Sequence, residues 1–258
     1  MIILKSFAVA FSMYSRIPMP RFKWDERDMR YHLIFFPLVG AVIGGLLILW
    51  KVLDNYLSFN SLLFSGVVVA LPLLITGGFH LDGFIDTSDA LSSYKDREER
   101  LKIMKDPHVG AFGIIRTIIL VVSFMAFVSC LQNEERAFTA FLFSFFISRT
   151  LSALSVVLFK KAREDGMAKK EADTKGKGVV VFILILELIA SSALCTYLPG
   201  EYGIVSIAIL VLFLLFYRSR TLSLFGGITG DTQGWFLCVS ECLFSGSLAA
   251  LTIVGRFL

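Results

Sequence analysis

The stretch Thr76-Gly-Gly-Phe-His-Leu-Asp-Gly-Phe-Ile-Asp-Thr-Ser-Asp-Ala90 ends a long apolar run that begins at Leu62. Three aspartates, Asp82, Asp86 and Asp89, therefore follow a segment whose composition suits lipid. Their spacing of i, i+4 and i+7 places the three carboxylates on one face of a helix. Like charges on one face repel one another, and a bound divalent cation such as Mg²⁺ would relieve that repulsion. The pattern predicts a carboxylate site where a membrane helix leaves the bilayer, with a solvated acidic face balanced by downstream lysines as the alternative.

The composition is that of a polytopic membrane protein. The chain has 258 residues, of which 56% are hydrophobic and 18% are charged, and a helix needs about 17–25 apolar residues to cross hydrocarbon. The apolar stretches lie at about 31–53, 60–81, 109–131, 137–159, 178–198 and 234–256, with a shorter one at 202–217. We expect an all-α bundle of about six or seven transmembrane helices, forming one integral-membrane domain over residues 1–258. Residues 1–15 are expected to form a short amphipathic or embedded helix.

Lysine and arginine are concentrated in alternate connecting segments. Most of the 25 basic residues lie in the segments 16–30, 82–108, 160–177 and 218–233. Cytoplasmic loops of membrane proteins carry such an excess, so we expect these four segments to face the cytoplasm. The net charge of +4 then reflects topology and gives no argument for a nucleic-acid partner.

Three chemically unusual segments are expected to meet on that face. They are the acidic stretch already quoted, Ala162-Arg-Glu-Asp-Gly-Met-Ala168, and Gly226-Gly-Ile-Thr-Gly-Asp-Thr-Gln-Gly234. Carboxylates, arginines and glycines gathered at one membrane face fit metal-assisted phosphoryl transfer. Gly77, Gly78 and Gly83 flank the acidic face and are expected to let the backbone approach a ligand closely and to permit turns that other residues resist. His80 is a candidate for proton transfer or phosphate contact, with a hydrogen-bonded structural role as the alternative.

Ionisable residues inside the predicted spans need partners. Arg149 lies about 16 Å, at helical rise, from the next basic cluster, and a charge at that depth is costly unless it faces a polar cavity or a partner. Either an anion such as a diphosphate or a carboxylate such as Glu241 would satisfy it. For Glu187 we expect a buried hydrogen bond to a neighbouring helix.

Taken together, these motifs resemble the cobalamin synthase family, also called adenosylcobinamide-GDP ribazoletransferase. The resemblance rests on 77–89, Lys105-Asp106 to Gly113, Arg149, 162–167, 229–234 and Glu241. The segments Tyr14-Ser-Arg-Ile-Pro-Met-Pro20 and Phe36-Pro-Leu-Val-Gly40 also look like its opening segments. The resemblance therefore covers nearly the whole chain.

The resemblance implies a multi-pass enzyme of the inner membrane with cytoplasmic active-site loops. Such an enzyme joins adenosylcobinamide-GDP to α-ribazole or its 5′-phosphate, releases GMP and requires Mg²⁺. By this resemblance Asp82, Asp86 and Asp89 would form the catalytic and metal-binding core, and Asp231 would belong to a second acidic motif that also reaches the metal. Our own hypothesis is that Asp89 of this cluster acts as general base. The implied substrate-binding residues are His80, Lys105, Asp106, Arg149, Arg163, Asp165, Thr229, Asp231 and Glu241.

Two other functions stay open at the level of sequence. A CDP-alcohol phosphotransferase also uses membrane aspartates with Mg²⁺, but here Asp82-Gly is not followed by the arginine of its Asp-Gly-x-x-Ala-Arg pattern. A transporter would explain Arg149 and Glu187, but it would not need three acidic, glycine-flanked motifs on one face. We expect the protein to lie in a lipid bilayer, and the sequence is compatible with an oligomer of this chain.

Overall fold

The protein folds as a bundle of α-helices. The structure is a computed structural model, and it describes residues 2–20, 22–23, 25, 27–163 and 176–256. The helices in these ranges are α1 (Ile2–Tyr14), α2 (His32–Leu57), α3 (Ser61–Thr76), α4 (Phe79–Ser92), α5 (Arg97–Ile103), α6 (Ala111–Ser129), α7 (Glu135–Leu158), α8 (Lys177–Tyr197), α9 (Glu201–Phe225) and α10 (Gly230–Gly255). A 3₁₀ turn at Asp28–Tyr31 leads into α2. Within the described ranges no strand occurs, which confirms the all-α class.

Six helices are long and apolar enough to cross a membrane, namely α2, α6, α7, α8, α9 and α10. With 16 residues, α3 is too short to meet that criterion alone, and it passes only together with α4, to which it is bent by 98°. The described chain therefore has six spans, or seven if the bent pair is one span. This number agrees with the prediction.

Two predicted spans differ from the helices observed. The stretch predicted at 60–81 ends at Thr76, because two glycines break the helix there. The short stretch predicted at 202–217 is a 25-residue helix that continues to Phe225. Hydropathy underestimated it because Arg218 and Arg220 lie in its last turns, where long basic side chains can reach out of the apolar layer.

The core of the bundle is α7. It is buried along most of its length and contacts α2, α8, α9 and α10. Phe141 and Phe145 are fully buried on this helix. Its other buried positions include serines, and small residues allow membrane helices to pack closely. By contrast, α6 and α8 are largely exposed and carry apolar side chains such as Ile118 and Ile189 on their outer faces, which suits contact with lipid.

The N-terminal helix α1 packs against α2. The rings of Tyr14 and Phe36 lie 4.2 Å apart between centroids, and those of Phe7 and Phe35 lie 5.6 Å apart. These contacts fix the C-terminal end of α1. They bring the segment that follows Tyr14 to the junction of α3 and α4, where the Arg16 N–H donates to the Ile75 carbonyl oxygen at 2.7 Å.

The segments predicted to converge meet at one end of the bundle. The guanidinium of Arg97 in α5 donates to the Ala162 carbonyl oxygen at 3.2 Å. The Ala162 N–H in turn donates to the Ile228 carbonyl oxygen at 2.9 Å, and the Ile228 N–H donates to the Lys160 carbonyl oxygen at 2.8 Å. The start of α5 and the segments that follow α7 and α9 are thereby tied together beside the start of α10.

Candidate functional site

Two glycines turn the chain between α3 and α4. Gly77 and Gly78 both have left-handed backbone angles, with φ of +66° and +79°, and glycine adopts this conformation at little cost. Gly77 ends α3 and Gly78 begins α4. The resulting 98° bend directs α4 away from the axis of α3, so the acidic face of α4 lies at the end of the bundle.

The acidic face predicted for α4 is present as a helix face. Asp82 is exposed, while Asp86 and Asp89 are half-buried. Asp86 has Asp82, Asp231 and Asp89 as negatively charged neighbours. The described structure therefore brings the two acidic motifs of the sequence together in one cluster.

The position of Asp231 is set by the start of α10. Thr229 caps this helix, since its hydroxyl accepts from the Thr232 N–H at 3.1 Å and the Thr232 hydroxyl accepts from the Thr229 N–H at 2.9 Å. Gly83 lies against the backbone of Asp231. The expectation that Gly83 makes room for a ligand is therefore wrong, because it makes room for α10. Thr229 acts in the cap, which holds Asp231 in the first helical turn.

Asp89 holds the start of α6. Its two carboxylate oxygens accept hydrogen bonds from the Gly110 and Gly113 N–H groups, each at 2.8 Å. A carboxylate at a helix N-terminus satisfies backbone donors that otherwise lack partners. This arrangement favours a positioning role for Asp89 over the general-base role expected from the sequence, since both of its oxygens are already engaged.

Arg163 lies at the edge of the acidic cluster. Its guanidinium donates to the Leu101 carbonyl oxygen and is close enough to Asp231 to attract that carboxylate. Arg163 is half-buried, so it is also accessible to a phosphate from solution. The predicted substrate residue Asp165 lies outside the described residues.

Arg149 and Glu241 are buried away from the acidic cluster. Arg149 is only 1% exposed, and its Nη1 donates to Glu241 Oε1 at 2.7 Å and to the Phe145 carbonyl oxygen at 2.9 Å. Of the two partners that the sequence left open for Arg149, the structure contains the carboxylate. The pair links α7 to α10, and this geometry favours a structural role for both residues over the substrate contacts expected for them.

His80 is buried beside this pair. Its ring lies 5.7 Å from that of Phe36 and 5.4 Å from that of Phe79, between centroids. Its Nε2 has no hydrogen-bond partner among the described residues. Contact of His80 with substrate or a proton stays a prediction.

Lys105 and Asp106 lie on an exposed loop between α5 and α6. The backbone N–H of His108 donates to Asp106 Oδ1 at 2.9 Å, and its ring nitrogen lies 2.7 Å from the same oxygen. These hydrogen bonds hold the pKa of Asp106 below its ordinary value. The loop stands at the same end of the bundle as α4, but its exposed side chains are not part of the acidic cluster, and their role stays a prediction.

A cavity of about 640 Å³ opens beside the exposed end of the acidic face. It is lined by Asp82 and Ile85 of α4, by the Gly77-Gly78 turn and by residues at the end of α1. This volume lies within the range of small-molecule sites, about 300–1,000 Å³. A substrate in this cavity would reach the carboxylate of Asp82.

Sequence reasoning missed Gln233 as a member of the site region. Its side-chain oxygen accepts from Ser152 at 2.7 Å, and its amide nitrogen donates to Ser155 at 2.8 Å. These bonds fasten the first turns of α10 to α7. The signal was available, because Gln233 lies within the glycine-rich motif 226–234, but nothing in the sequence shows its partners.

Within the described ranges, the acidic cluster supplies enough carboxylates for a Mg²⁺ ion that is also bound by substrate, but not for a site made of protein ligands alone. Among the residues that the structure describes, no group of three or more His, Cys, Asp or Glu side chains has the geometry to hold a metal ion. Mg²⁺, however, is usually bound by one or two carboxylates together with substrate phosphates and water. Asp82 and Asp86, one helical turn apart on α4, supply such a pair.

The fold and the site define a polytopic α-helical membrane protein with a carboxylate cluster at one end of the bundle. A family model described as cobalamin-5-phosphate synthase matches residues 6–249. The chain belongs to that family.

Curated relatives match along nearly their whole length. A protein of Lachnoclostridium phytofermentans is 37% identical over 252 residues, which cover 98% of this chain and 95% of the relative. One from Clostridium botulinum strain Alaska E43 is 34% identical over 95% of this chain and 98% of the relative, and one from Fusobacterium nucleatum is 30% identical over 93% and 95%. Each is named adenosylcobinamide-GDP ribazoletransferase. No solved structure matches the chain.

Proposed function

We propose that the protein transfers the adenosylcobinamide phosphoryl group from adenosylcobinamide-GDP to α-ribazole or α-ribazole 5′-phosphate, with release of GMP. Family membership and the names of near-full-length relatives support this activity. The structural observation that carries the proposal is the meeting of Asp82 and Asp86 of α4 with Asp231 of α10. Such a cluster suits a reaction in which the protein positions phosphates and compensates their charge.

The reaction is a displacement at phosphorus. The 3′-hydroxyl oxygen of the ribazole forms a bond to the phosphorus nearest cobinamide, and the bond from that phosphorus to the bridging oxygen breaks. The bridging oxygen leaves with GMP, and the hydroxyl proton passes to a carboxylate of the protein. We assign this proton to Asp231, because Asp82 and Asp86 form the pair suited to a metal and Asp89 is engaged with α6.

Charge compensation comes from both a cation and the protein. Mg²⁺, for which Asp82 and Asp86 are the proposed ligands, would neutralise charge on the diphosphate when bound. Arg163, at the edge of the cluster, would bind a phosphate oxygen of the departing GMP. The Thr229 cap and the Asp89 bonds to α6 hold the residues of the acidic cluster in position. Precise positioning is needed because misplacement by about 1 Å can lower the rate about 100-fold.

We propose that the site end of the bundle faces the cytoplasm, with the protein in the inner membrane. The basic segments of the sequence support this orientation. Residues Lys160 and Lys161 lie at the site end beside Ile228, whereas Arg136 pairs with Glu201 between the starts of α7 and α9. The donor adenosylcobinamide-GDP would then reach the cavity from the cytoplasm.

The alternatives have less support. The transporter hypothesis drew on the unexplained charge of Arg149, and Glu241 now accounts for that charge. Against a CDP-alcohol phosphotransferase, the chain has no arginine at the position that the Asp-Gly-x-x-Ala-Arg motif requires after Asp82-Gly. The family match also points to a different reaction. Release of CMP in an assay with CDP-alcohol substrates would favour the CDP-alcohol phosphotransferase function.

The direct test uses purified protein in proteoliposomes. Wild type should release GMP from adenosylcobinamide-GDP with α-ribazole or its 5′-phosphate in the presence of Mg²⁺, and chelation of the metal should stop the reaction. Asp82→Asn should lower the rate about 100-fold or more, because loss of a metal ligand removes several kcal/mol of charge stabilisation. The matched control is Glu135→Gln, an exposed carboxylate at the opposite end of α7 from the Lys160 segment. Turnover without a divalent cation would remove the metal from the proposal. Near-normal turnover by Asp82→Asn would remove Asp82.

A further inference from the structure

One cationic side chain in the cavity has no role in the mechanism above. Among the described residues that line the cavity beside Asp82, Arg16 is the one with a positive charge and Asp82 is the one with a negative charge. Arg16 follows α1, whereas Asp82 lies on α4, so the two groups come from separate elements that enclose the same space. The cavity therefore offers both a carboxylate and a guanidinium to a bound molecule.

The main chain at Arg16 is fixed in place. Its N–H donates to the Ile75 carbonyl oxygen at 2.7 Å. The preceding residue, Ser15, donates to the Phe11 carbonyl oxygen at 2.7 Å and accepts from the Ile17 N–H at 3.2 Å. These bonds attach the segment after α1 to the end of α3, so Arg16 projects from a fixed point.

The side chain of Arg16 lies over the Gly77 backbone. A Cβ atom at Gly77 would overlap the Arg16 Nε and would lie 2.7 Å from its Cγ. Gly77 therefore does two things: it permits the left-handed turn between α3 and α4, and it leaves the space that the arginine side chain occupies. Arg16 and Gly77 are thus neighbours in the folded structure although 61 positions separate them in the sequence.

The guanidinium of Arg16 is available to a ligand. The side chain is exposed, and no carboxylate within the described ranges lies at ion-pair distance from it. A guanidinium presents several donors in a planar fork that matches the oxygens of a phosphate. An arginine without an ion-pair partner among the described residues, in a cavity that also contains Asp82, is suited to bind a phosphorylated substrate.

We infer that Arg16 binds a phosphate group of a substrate in this cavity, which Asp82 also lines, with Gly77 making room for its side chain. The inference rests on the proposed function and adds a substrate-binding residue to it. The phosphate belongs either to the diphosphate of adenosylcobinamide-GDP or to α-ribazole 5′-phosphate. Both are phosphate esters with the same hydrogen-bonding chemistry, and kinetics can distinguish them.

The kinetic test compares Arg16→Gln and Arg16→Lys with wild type. The control is Arg220→Gln, which removes an exposed arginine near the end of α9 that does not line the cavity. Arg16→Gln should raise the KM of a phosphorylated substrate about ten-fold or more, as expected for a lost charge-assisted hydrogen bond. If the phosphate is the non-reacting 5′-phosphate of the acceptor, kcat should stay within about three-fold of wild type, whereas contact with the reacting diphosphate should lower kcat as well. Arg16→Lys should be intermediate, since lysine keeps the charge without the fork.

The substrate whose KM changes identifies the phosphate. A higher KM for α-ribazole 5′-phosphate, with an unchanged KM for α-ribazole, assigns Arg16 to the acceptor. A higher KM for adenosylcobinamide-GDP with either acceptor assigns it to the donor diphosphate. Unchanged KM values for all three compounds would overturn the inference.

A binding measurement separates this inference from the proposed function. Calorimetric titration of the detergent-solubilised full-length protein with inorganic phosphate and inorganic diphosphate needs no turnover. Weaker binding by Arg16→Gln, but not by Arg220→Gln, supports the inference even if wild type proves to have no transferase activity, in which case only the proposed function fails. Equal binding by wild type and Arg16→Gln, or no binding of either anion by wild type, overturns it.

Discussion

Gly83 lies so close to Asp231 that a Cβ atom at the glycine would be 2.7 Å from the Asp231 carbonyl oxygen. At the same crossing a Cβ atom at Gly234 would lie 2.5 Å from the carbonyl oxygen of His80. The two glycines let the backbones of α4 and α10 touch, as small residues do where membrane helices cross. Backbone contact therefore sets the distance between Asp231 and the acidic face of α4.

Replacement of Gly83 by alanine should separate the two acidic motifs. The new methyl group meets backbone, which cannot rotate away, so α4 must shift from α10. We expect a loss of about 1–3 kcal/mol of stability and a fall in rate of up to about 100-fold through misplacement of Asp231. Thermal unfolding in detergent and GMP release in proteoliposomes measure the two effects. Gly45→Ala is the control, because nothing lies within 4 Å of its Cβ position; a normal rate for Gly83→Ala would contradict the model of a backbone-set site.

Asp89→Asn should loosen the start of α6 without abolishing catalysis. The amide keeps one acceptor oxygen, so one of the two bonds to Gly110 and Gly113 is lost, at a cost of about 1–3 kcal/mol. Hydrogen exchange at these two amides should accelerate, and the rate of GMP release should fall less than in Asp82→Asn. A variant as inactive as Asp82→Asn with unchanged exchange would instead restore Asp89 to the general-base role that the sequence suggested.

Removal of either partner of the Arg149–Glu241 pair should destabilise the bundle. Arg149→Met leaves a buried carboxylate without its cation, and breaking such a pair costs about 3–5 kcal/mol. The double variant Arg149→Met, Glu241→Leu should recover much of that loss, since both charges are then gone. Thermal unfolding of the two single variants and the double variant completes the cycle. An Arg149→Met protein with normal stability and a raised substrate KM would show that Arg149 contacts substrate.

The helices and the acidic face could be predicted because they depend on local sequence. The lengths of the apolar stretches gave the number of spans, and the spacing of Asp82, Asp86 and Asp89 gave a common helix face. The bend at Gly77-Gly78 was harder to foresee, since the apolar run continues through Leu81 and hydropathy alone extends the span. The end of α9 was missed for the opposite reason, because charges interrupt the hydropathy signal while the helix continues.

The roles of individual site residues depend on partners that are distant in sequence. Asp89 bonds to residues 21 and 24 positions away, and Arg149 bonds to one 92 positions away. Spacing could name Glu241 as a candidate partner of Arg149 but could not choose it over a diphosphate. The sequence placed Arg16 only in a segment that resembles the opening of the family and did not mark it as a site residue, because its proximity to Gly77 shows only in the folded structure.

Glu187 is expected to contribute nothing to catalysis and to cost stability. The predicted hydrogen bond from a neighbouring helix does not satisfy its carboxyl group, since Oε2 has no partner among the described residues. The side chain lines a largely apolar groove of about 540 Å³ bordered by α2, α7 and α8, next to Gly44 and Phe146. A polar group left unsatisfied in an apolar setting costs about 1–3 kcal/mol, so Glu187→Leu should raise the thermal midpoint by a few degrees, on the order of 2–4 °C. Its rate of GMP release should equal that of wild type, because the groove contains none of the residues assigned to the acidic cluster. Loss of activity at unchanged or higher stability would mean instead that the carboxyl group serves the reaction or a bound molecule.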